Sequence, residues 1–170
     1  MDEAWKLGQG EYLKRNGYHP VHEIMKEHMT KVIEICKRND VEPMIWADMY
    51  LRAANGSPSD PWDAYYRLEG EVPQEIIDEA PAELDYVYWD YYHADADFYR
   101  KMIAFHRTLG SEPVFAGGIW TWLHKWCALP YSFTVLQAAM EACKAEGLKE
   151  VFMTMWGDDG AEVDFMSALP

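Results

Sequence analysis

Two patterns of apolar positions alternate several times along this chain. Residues 20–39 carry apolar side chains at intervals of three and four, which predicts an amphipathic helix that begins at Pro20. Residues 42–50 form a short apolar run bounded by proline and charge, which predicts a buried strand. The two patterns recur, and they predict further helices at residues 73–79, 95–109 and 132–145 and further strands at residues 84–91, 112–120 and 150–156.

Capping residues and the order of the elements refine this picture. Asp95 and Ser132 are expected to cap two of the helices, which end at Gly110 and Gly147. Helices alternate with strands throughout, and no break in composition divides the chain. This alternation predicts an α/β fold with a parallel sheet and helical crossovers, in one domain over residues 1–170. A complete (β/α)8 barrel takes about 250 residues, so a barrel built from this chain would be partial.

Aromatic and acidic side chains collect where each predicted strand ends. They are Trp46 and Asp48, Tyr88 and Asp90, Trp120 and Trp122, and Trp156 with Asp158 and Asp159. Residues two apart on a strand point to the same face, and ligands of parallel α/β folds bind at the carboxyl ends of the strands. For a single pair, an aromatic that fills the core beside a helix-capping Asp explains the pattern equally well. Four recurrences at equivalent positions favour one shared pocket.

Composition indicates what such a pocket would bind. Aromatic residues make up 15% of the chain and include eight Trp, more than the packing of one core requires. Burying Trp is costly unless its indole N–H finds a partner. Indoles pack well against the flat C–H faces of sugar rings, and carboxylates bind sugar hydroxyls. The sequence therefore predicts a carbohydrate site.

Charge and cysteine content narrow the possible partners. A net charge of -14 repels phosphate backbones and anionic lipids, so we expect neither nucleic acid nor a membrane as partner. Three widely spaced cysteines, Cys36, Cys127 and Cys143, form no CxxC pair and suggest neither a zinc site nor a disulfide framework. The opening residues lack the apolar stretch of a signal peptide. We expect a cytoplasmic protein without metal or cofactor.

Five segments of the chain resemble the family 20 glycoside hydrolases. MDEAW at residues 1–5 is similar to the end of the family's signature, which follows barrel strand four. Similar segments follow in order, namely PMIWADMY, YVYWDYY, FAGGIWTW and FMTMWGDDGAE. The resemblance covers essentially the whole chain. It implies the carboxyl-terminal half of a β-N-acetylhexosaminidase barrel, roughly strands four or five to eight, acting on glycans that contain N-acetylhexosamine.

The resemblance also implies a role for individual residues. Asp2 would hold the N–H of the substrate's 2-acetamido group, and Glu3 would be the general acid and then the general base. Tyr88 would donate its hydroxyl to the acetamido carbonyl as that oxygen attacks C1. The sugar would be held by Trp46, Asp48, Asp90, Trp120, Trp122, Trp156 and Asp158. Many family members have Trp-Gly-Glu where this chain has Trp-Gly-Asp, so the shorter Asp158 would reach less far toward the 4- and 6-hydroxyls of the sugar.

The adjacent acidic pair suits this chemistry. In the substrate-assisted mechanism of this family the acetamido oxygen replaces the protein nucleophile of other retaining glycosidases. The protein then only has to orient that group and supply an acid. The charge of Asp2 is expected to favour the protonated form of Glu3 beside it, and burial among indoles would act in the same direction.

Two other functions compete with this interpretation. His93, Asp95 and Asp97, together with Asp158 and Asp159, could form the centre of a metal-dependent hydrolase, although His-x-Asp-x-Asp before a helix is more often a capping sequence. A non-catalytic carbohydrate-binding or assembly module would keep the aromatic residues. Such a module has no use for a protonatable group, so Glu3 discriminates between it and an enzyme.

The segments that resemble the family do not include the barrel strands before the Asp-Glu pair. They do not include the eighth helix of the barrel either. A half-barrel exposes strand edges and apolar faces, so we expect it to need the other half, a partner or a second copy. The 170-residue chain alone should therefore be weakly active or inactive on an aryl N-acetyl-β-glucosaminide. Substantial turnover by the purified chain would contradict this prediction.

Overall fold

The computed structural model describes residue 4 and residues 6–55, 62–68, 71–122 and 126–157. In these ranges the strands are β1 (Met44–Trp46), β2 (Asp85–Trp89), β3 (Val114–Gly118) and β4 (Val151–Thr154). The helices are α1 (Glu11–Asn16), α2 (Val21–Arg38), α3 (Asp48–Asn55), α4 (Gln74–Glu79), α5 (Ala96–Arg107) and α6 (Leu129–Glu146), with a 3-10 turn at Trp62–Tyr66.

The four strands form one sheet in the order β1-β2-β3-β4. The pairs β2–β3 and β3–β4 are parallel, with Tyr88 opposite Phe115 and Gly118 opposite Thr154. Helices connect successive strands, because parallel neighbours need a crossover. The predicted α/β fold with a parallel sheet is therefore confirmed.

Several predicted element boundaries are wrong. Helix α5 was expected to extend to residue 109 and end at Gly110, but it ends at Arg107. Residues 42–50 were expected to be strand throughout, but β1 has only three residues and Asp48 begins α3. Asp is favourable in the first turn of a helix, because its negative charge is attracted to the positive end of the helix dipole. The helix predicted from a cap at Ser132 begins instead at Leu129, because Pro130 is well suited to a first turn.

Contacts divide the chain into two compact units, Met1–Tyr86 with Phe105–Glu112 and Val87–Ala104 with Pro113–Pro170. In the first unit, α2 buries Met25, Met29 and Ile33 on one face, as its apolar spacing predicts. A ring contact and a hydrogen bond of tyrosine side chains also lie in this core. The rings of Tyr50 and Tyr86 meet edge to face with centroids 5.4 Å apart, and the Tyr65 hydroxyl lies 2.7 Å from His106 Nε2.

In the second unit, every residue of β3 is buried. Helix α6 packs against this strand, and a Cβ at Gly117 would lie only 2.6 Å from Leu136 Cδ2. Gly147 ends α6 in the left-handed conformation with φ of 73°, as the sequence predicts. Among the described residues, the helices are too short or too polar to cross a lipid bilayer.

Buried phenols of the first unit should make its stability sensitive to alkali. Burial raises the pKa of Tyr50 to about 12, and burial followed by the charges of Tyr50 and Glu83 raises the pKa of Tyr86 further. An unfolded tyrosine releases its proton near pH 10. Above that pH the unfolded chain holds fewer protons than the folded chain, so the stabilisation present below pH 10 is lost as the pH rises.

The unfolding free energy should decrease between pH 9 and 11. We expect Tyr86→Phe to make this decrease smaller, by up to about 1.4 kcal/mol per pH unit. Urea unfolding measured across this range gives the slope. Tyr18→Phe is the matched control, because Tyr18 is 82% exposed and folding does not bury its phenol. Equal slopes for Tyr86→Phe and the unchanged chain would show that the buried phenol is not responsible.

Candidate functional site

The carboxylate of Asp90, directly after β2, is the centre of a buried polar network. Asp90 is 0% exposed. Its Oδ2 accepts the Tyr88 hydroxyl at 2.9 Å, and its Oδ1 accepts the Tyr92 backbone N–H at 2.9 Å. His93 Nδ1 lies 2.8 Å from Oδ2 and 3.0 Å from Oδ1. A carboxylate has only acceptors, so Nδ1 carries a hydrogen that it donates to Asp90.

The local backbone explains why these groups meet. Tyr88 and Asp90 are two residues apart and point to the same face of the extended chain, as the sequence analysis expects. The Asp90 N–H bonds the Ala116 carbonyl at 3.2 Å, which continues the β2–β3 pairing for one more residue. The chain then bends, and the bond from Tyr92 N–H to the Asp90 side chain is typical of an Asx turn.

The charge of Asp90 affects the phenols around it. Burial, and after it the Asp90 charge, raises the pKa of Tyr99 above its usual value. The same two causes raise the pKa of Tyr131. These groups therefore remain protonated at neutral pH and act as hydrogen-bond donors.

His93 is held in place from two sides. Its backbone carbonyl accepts the Tyr99 hydroxyl at 2.9 Å. Its ring stacks on Phe98 with centroids 3.8 Å apart and planes 19° from parallel. Both partners come from the first turns of α5, so this helix fixes the ring against Asp90. The His93 side chain is 30% exposed, whereas that of Asp90 is 0% exposed.

The acidic residues beside His93 serve the helix. Asp95 Oδ1 accepts the Asp97 backbone N–H at 2.9 Å, which confirms the predicted cap of α5. Asp97 pairs with Arg100. Within the described ranges, no group of three or more His, Cys, Asp or Glu residues could hold a metal ion. Asp158 and Asp159, the other members of the proposed metal centre, lie outside those ranges.

Aromatic rings from the ends of β2 and β3 pack together next to this network. This aromatic cluster consists of Tyr91, Trp120 and Trp122, with Trp89 and Tyr92 partly buried against it. The indoles of Trp120 and Trp122 stack with centroids 4.7 Å apart. Trp120 Nε1 donates to the Tyr91 carbonyl at 2.6 Å, which satisfies the buried indole N–H.

Gly118 allows the rings to lie directly against β3. A Cβ at this position would be 2.6 Å from Tyr91 Cδ1 and 3.1 Å from Trp122 Cη2. The two glycines of β3 thus face different neighbours, since Gly117 lies against Leu136 and Met153. Glycine at both positions therefore permits these close approaches to β3.

Hydroxyl groups hold the segments that follow β3 and β4. Ser132 Oγ accepts the Trp120 N–H at 3.0 Å and donates to the Ala128 carbonyl at 3.0 Å. Thr121 Oγ1 donates to the Trp156 carbonyl at 2.8 Å. The Trp156 residue is 36% exposed. These bonds connect the ends of both strands within the second unit.

The structure brings together part of the predicted site. Tyr88 and Asp90 are hydrogen-bonded and both 0% exposed, and Trp120 and Trp122 are stacked and buried. The Trp156 backbone is bound to the same segment through Thr121. Trp46 and Asp48 belong to the first unit, where Trp46 ends β1 half-buried and Asp48 lies buried in the first turn of α3. The predicted residues outside the described ranges are Asp2, Glu3 and Asp158.

Sequence reasoning missed the contact between His93 and Asp90. It treated His93 only as a possible metal ligand. The signal was present as Asp-x-x-His directly after a strand, but that spacing yields a contact only when the chain turns, as it does here through the Asx turn.

No protein-family model matches this chain, and a search of curated proteins found no significant match.

The two glycines of β3 should respond differently to an added methyl group. Gly118→Ala pushes on aromatic rings, which we expect to cost about 1–3 kcal/mol of unfolding free energy and to alter the near-ultraviolet circular dichroism of the cluster. Gly117→Ala meets the ends of Leu136 and Met153, which move more easily, so its cost should be smaller. Equal costs for the two variants would contradict the packing of the aromatic cluster on β3.

Proposed function

We propose that this chain is the carboxyl-terminal half of the catalytic (β/α)8 barrel of a β-N-acetylhexosaminidase. The enzyme would remove terminal β-linked N-acetylglucosamine or N-acetylgalactosamine with retention of configuration. One observation carries the proposal, namely the Tyr88 hydroxyl held by buried Asp90 next to the aromatic cluster. A phenol donor, a carboxylate and indoles at one edge of a parallel sheet are what an acetamido sugar requires.

The order of the sheet supports the barrel. Strands that are neighbours in both the chain and the sheet, with helices between them, have the arrangement of successive strands in a (β/α)8 barrel. In that fold the active site lies at the carboxyl ends of the strands. Asp90 follows the end of β2, and the cluster residues Trp120 and Trp122 follow the end of β3.

The proposed reaction uses the substrate's own acetamido oxygen as nucleophile. That oxygen attacks C1 while Glu3 donates a proton to the leaving glycosidic oxygen, and an oxazolinium ion forms. Glu3 then removes a proton from water, which attacks C1 and restores the acetamido group. Asp2 holds the acetamido N–H and stabilises the positive charge. Tyr88 donates its hydroxyl to the acetamido carbonyl and directs it toward C1.

The net charge is compatible with this substrate. Neutral sugars experience no repulsion from a chain with a charge of -14. The negative charge also favours the oxazolinium ion over an anionic intermediate. The charge of the chain is thus compatible with a neutral substrate that becomes positively charged during the reaction.

The decisive test of the enzyme is Glu3→Gln in the natural protein that contains this sequence. We expect turnover of substrates with poor leaving groups to fall by about 10²–10⁴-fold, because these need protonation by the acid. Aryl substrates with good leaving groups should lose less, and sugar affinity should be retained. Glu11→Gln is the matched control, since the Glu11 side chain is 67% exposed and pairs with Lys14.

Asp2→Asn belongs to the same test. It should weaken the binding of a thiazoline that mimics the cyclised intermediate, because the amide does not supply the negative charge. Unchanged rates for Glu3→Gln together with unchanged thiazoline affinity for Asp2→Asn would reject the enzyme. Sugar binding without these effects would identify a carbohydrate-binding module.

A further inference from the structure

We propose that His93 is a positioning residue that frees the Tyr88 hydroxyl for the substrate. His93 donates a hydrogen bond from Nδ1–H to the Asp90 carboxylate. The negative charge of Asp90 therefore keeps a donor when Tyr88 turns its only hydroxyl proton to the acetamido oxygen. This inference depends on the proposed function, because it assigns a task within the same site.

The argument begins with the hydrogen of Tyr88. A phenol has one O–H donor, and in this structure it donates to Asp90 Oδ2 at 2.9 Å. It therefore leaves Asp90 when it donates to a sugar. Asp90 is 0% exposed, and a buried carboxylate that loses a donor is strongly destabilised. Without a replacement, Tyr88 would stay on Asp90 and substrate binding would have to compete with that bond.

His93 supplies the replacement. Its Nδ1 is 2.8 Å from the oxygen that Tyr88 would leave and 3.0 Å from the other oxygen, so one N–H already lies between the two. Nδ1 is already closer to Oδ2, so this donor stays on Oδ2 when Tyr88 leaves. The Tyr92 N–H remains on Oδ1 at 2.9 Å. The carboxylate then keeps a donor on each oxygen.

The surroundings of His93 suit this task. The Tyr99 hydroxyl holds its backbone carbonyl, and Phe98 stacks on its ring. With the ring fixed, the Nδ1–H donor faces Asp90 before any substrate arrives. Residues that orient metal ligands through a hydrogen bond typically change metal affinity or activity by about 10–100-fold when they are mutated, and we expect an effect of similar size here.

Three variants test the proposal in the natural protein. His93→Leu removes the donor, and we expect kcat on an N-acetyl-β-glucosaminide to fall by about 10–100-fold with a smaller change in KM. His93→Asn places an amide N–H near the position of Nδ1 and should restore most of the rate. His19→Leu is the matched control, because its imidazole is 44% exposed on the first unit. Equal losses for the Leu and Asn variants at position 93 would overturn the proposal.

A double-mutant cycle separates positioning from simple loss of structure. Tyr88→Phe has no hydroxyl to release, so adding His93→Leu to it should cause little further loss of kcat. Two independent losses that multiply would mean that His93 acts through something other than Tyr88, which contradicts the proposal. Nitrogen NMR of the imidazole provides a second readout. A hydrogen on Nδ1 of neutral His93 is expected, and a neutral ring protonated only on Nε2 would refute the geometry.

The outcomes keep the two proposals apart. If the natural protein neither hydrolyses N-acetyl-β-glucosaminides nor binds the thiazoline, the proposed function fails, and the task of His93 fails with it. If the natural protein is active but His93→Leu retains the full rate, the hexosaminidase stands and only the role of His93 is wrong.

Discussion

The burial of one carboxylate sets the geometry of the second unit. Asp90 is fully buried, and its charge must be balanced by donors that cannot come from solvent. The Tyr88 hydroxyl, the Tyr92 N–H and the His93 Nδ1–H point to it from three consecutive parts of the chain. These bonds fix the end of β2, the turn that follows it and the approach to α5. A buried charge therefore determines how a short segment is shaped.

The aromatic cluster depends on the same segment. Trp120 donates its indole N–H to the Tyr91 carbonyl, and Tyr131 donates its hydroxyl to the Tyr92 carbonyl at 3.1 Å. The residues that fold around Asp90 thus also present their carbonyl groups to the end of β3 and the start of α6. Gly118 makes this possible, because a side chain there would displace Tyr91 and Trp122. Hydrogen bonds therefore connect the polar network and the rings within the second unit.

Much of this fold could be predicted from the sequence, and the failures have physical causes. Alternating apolar patterns predicted the parallel sheet, and a two-residue spacing predicted that Tyr88 and Asp90 share a face. These features depend on local periodicity. The strand assignment of Asp48 failed because a three-residue strand carries little pattern, while the helix that follows it is favoured by an acidic first turn. The hydrogen bond from the Trp120 indole to the Tyr91 carbonyl joins residues 29 apart in the sequence, so only the tertiary structure could reveal it.

The most direct test of the account is a crystal structure of the natural protein with N-acetylglucosamine bound. We expect the sugar to lie against an indole, with its acetamido carbonyl within about 2.7–3.0 Å of the Tyr88 hydroxyl. His93 Nδ1 should remain within about 2.7–3.2 Å of Oδ2, the oxygen of Asp90 that Tyr88 has left. A sugar bound elsewhere, or a Tyr88 hydroxyl that stays on Asp90 without touching the ligand, would contradict the account.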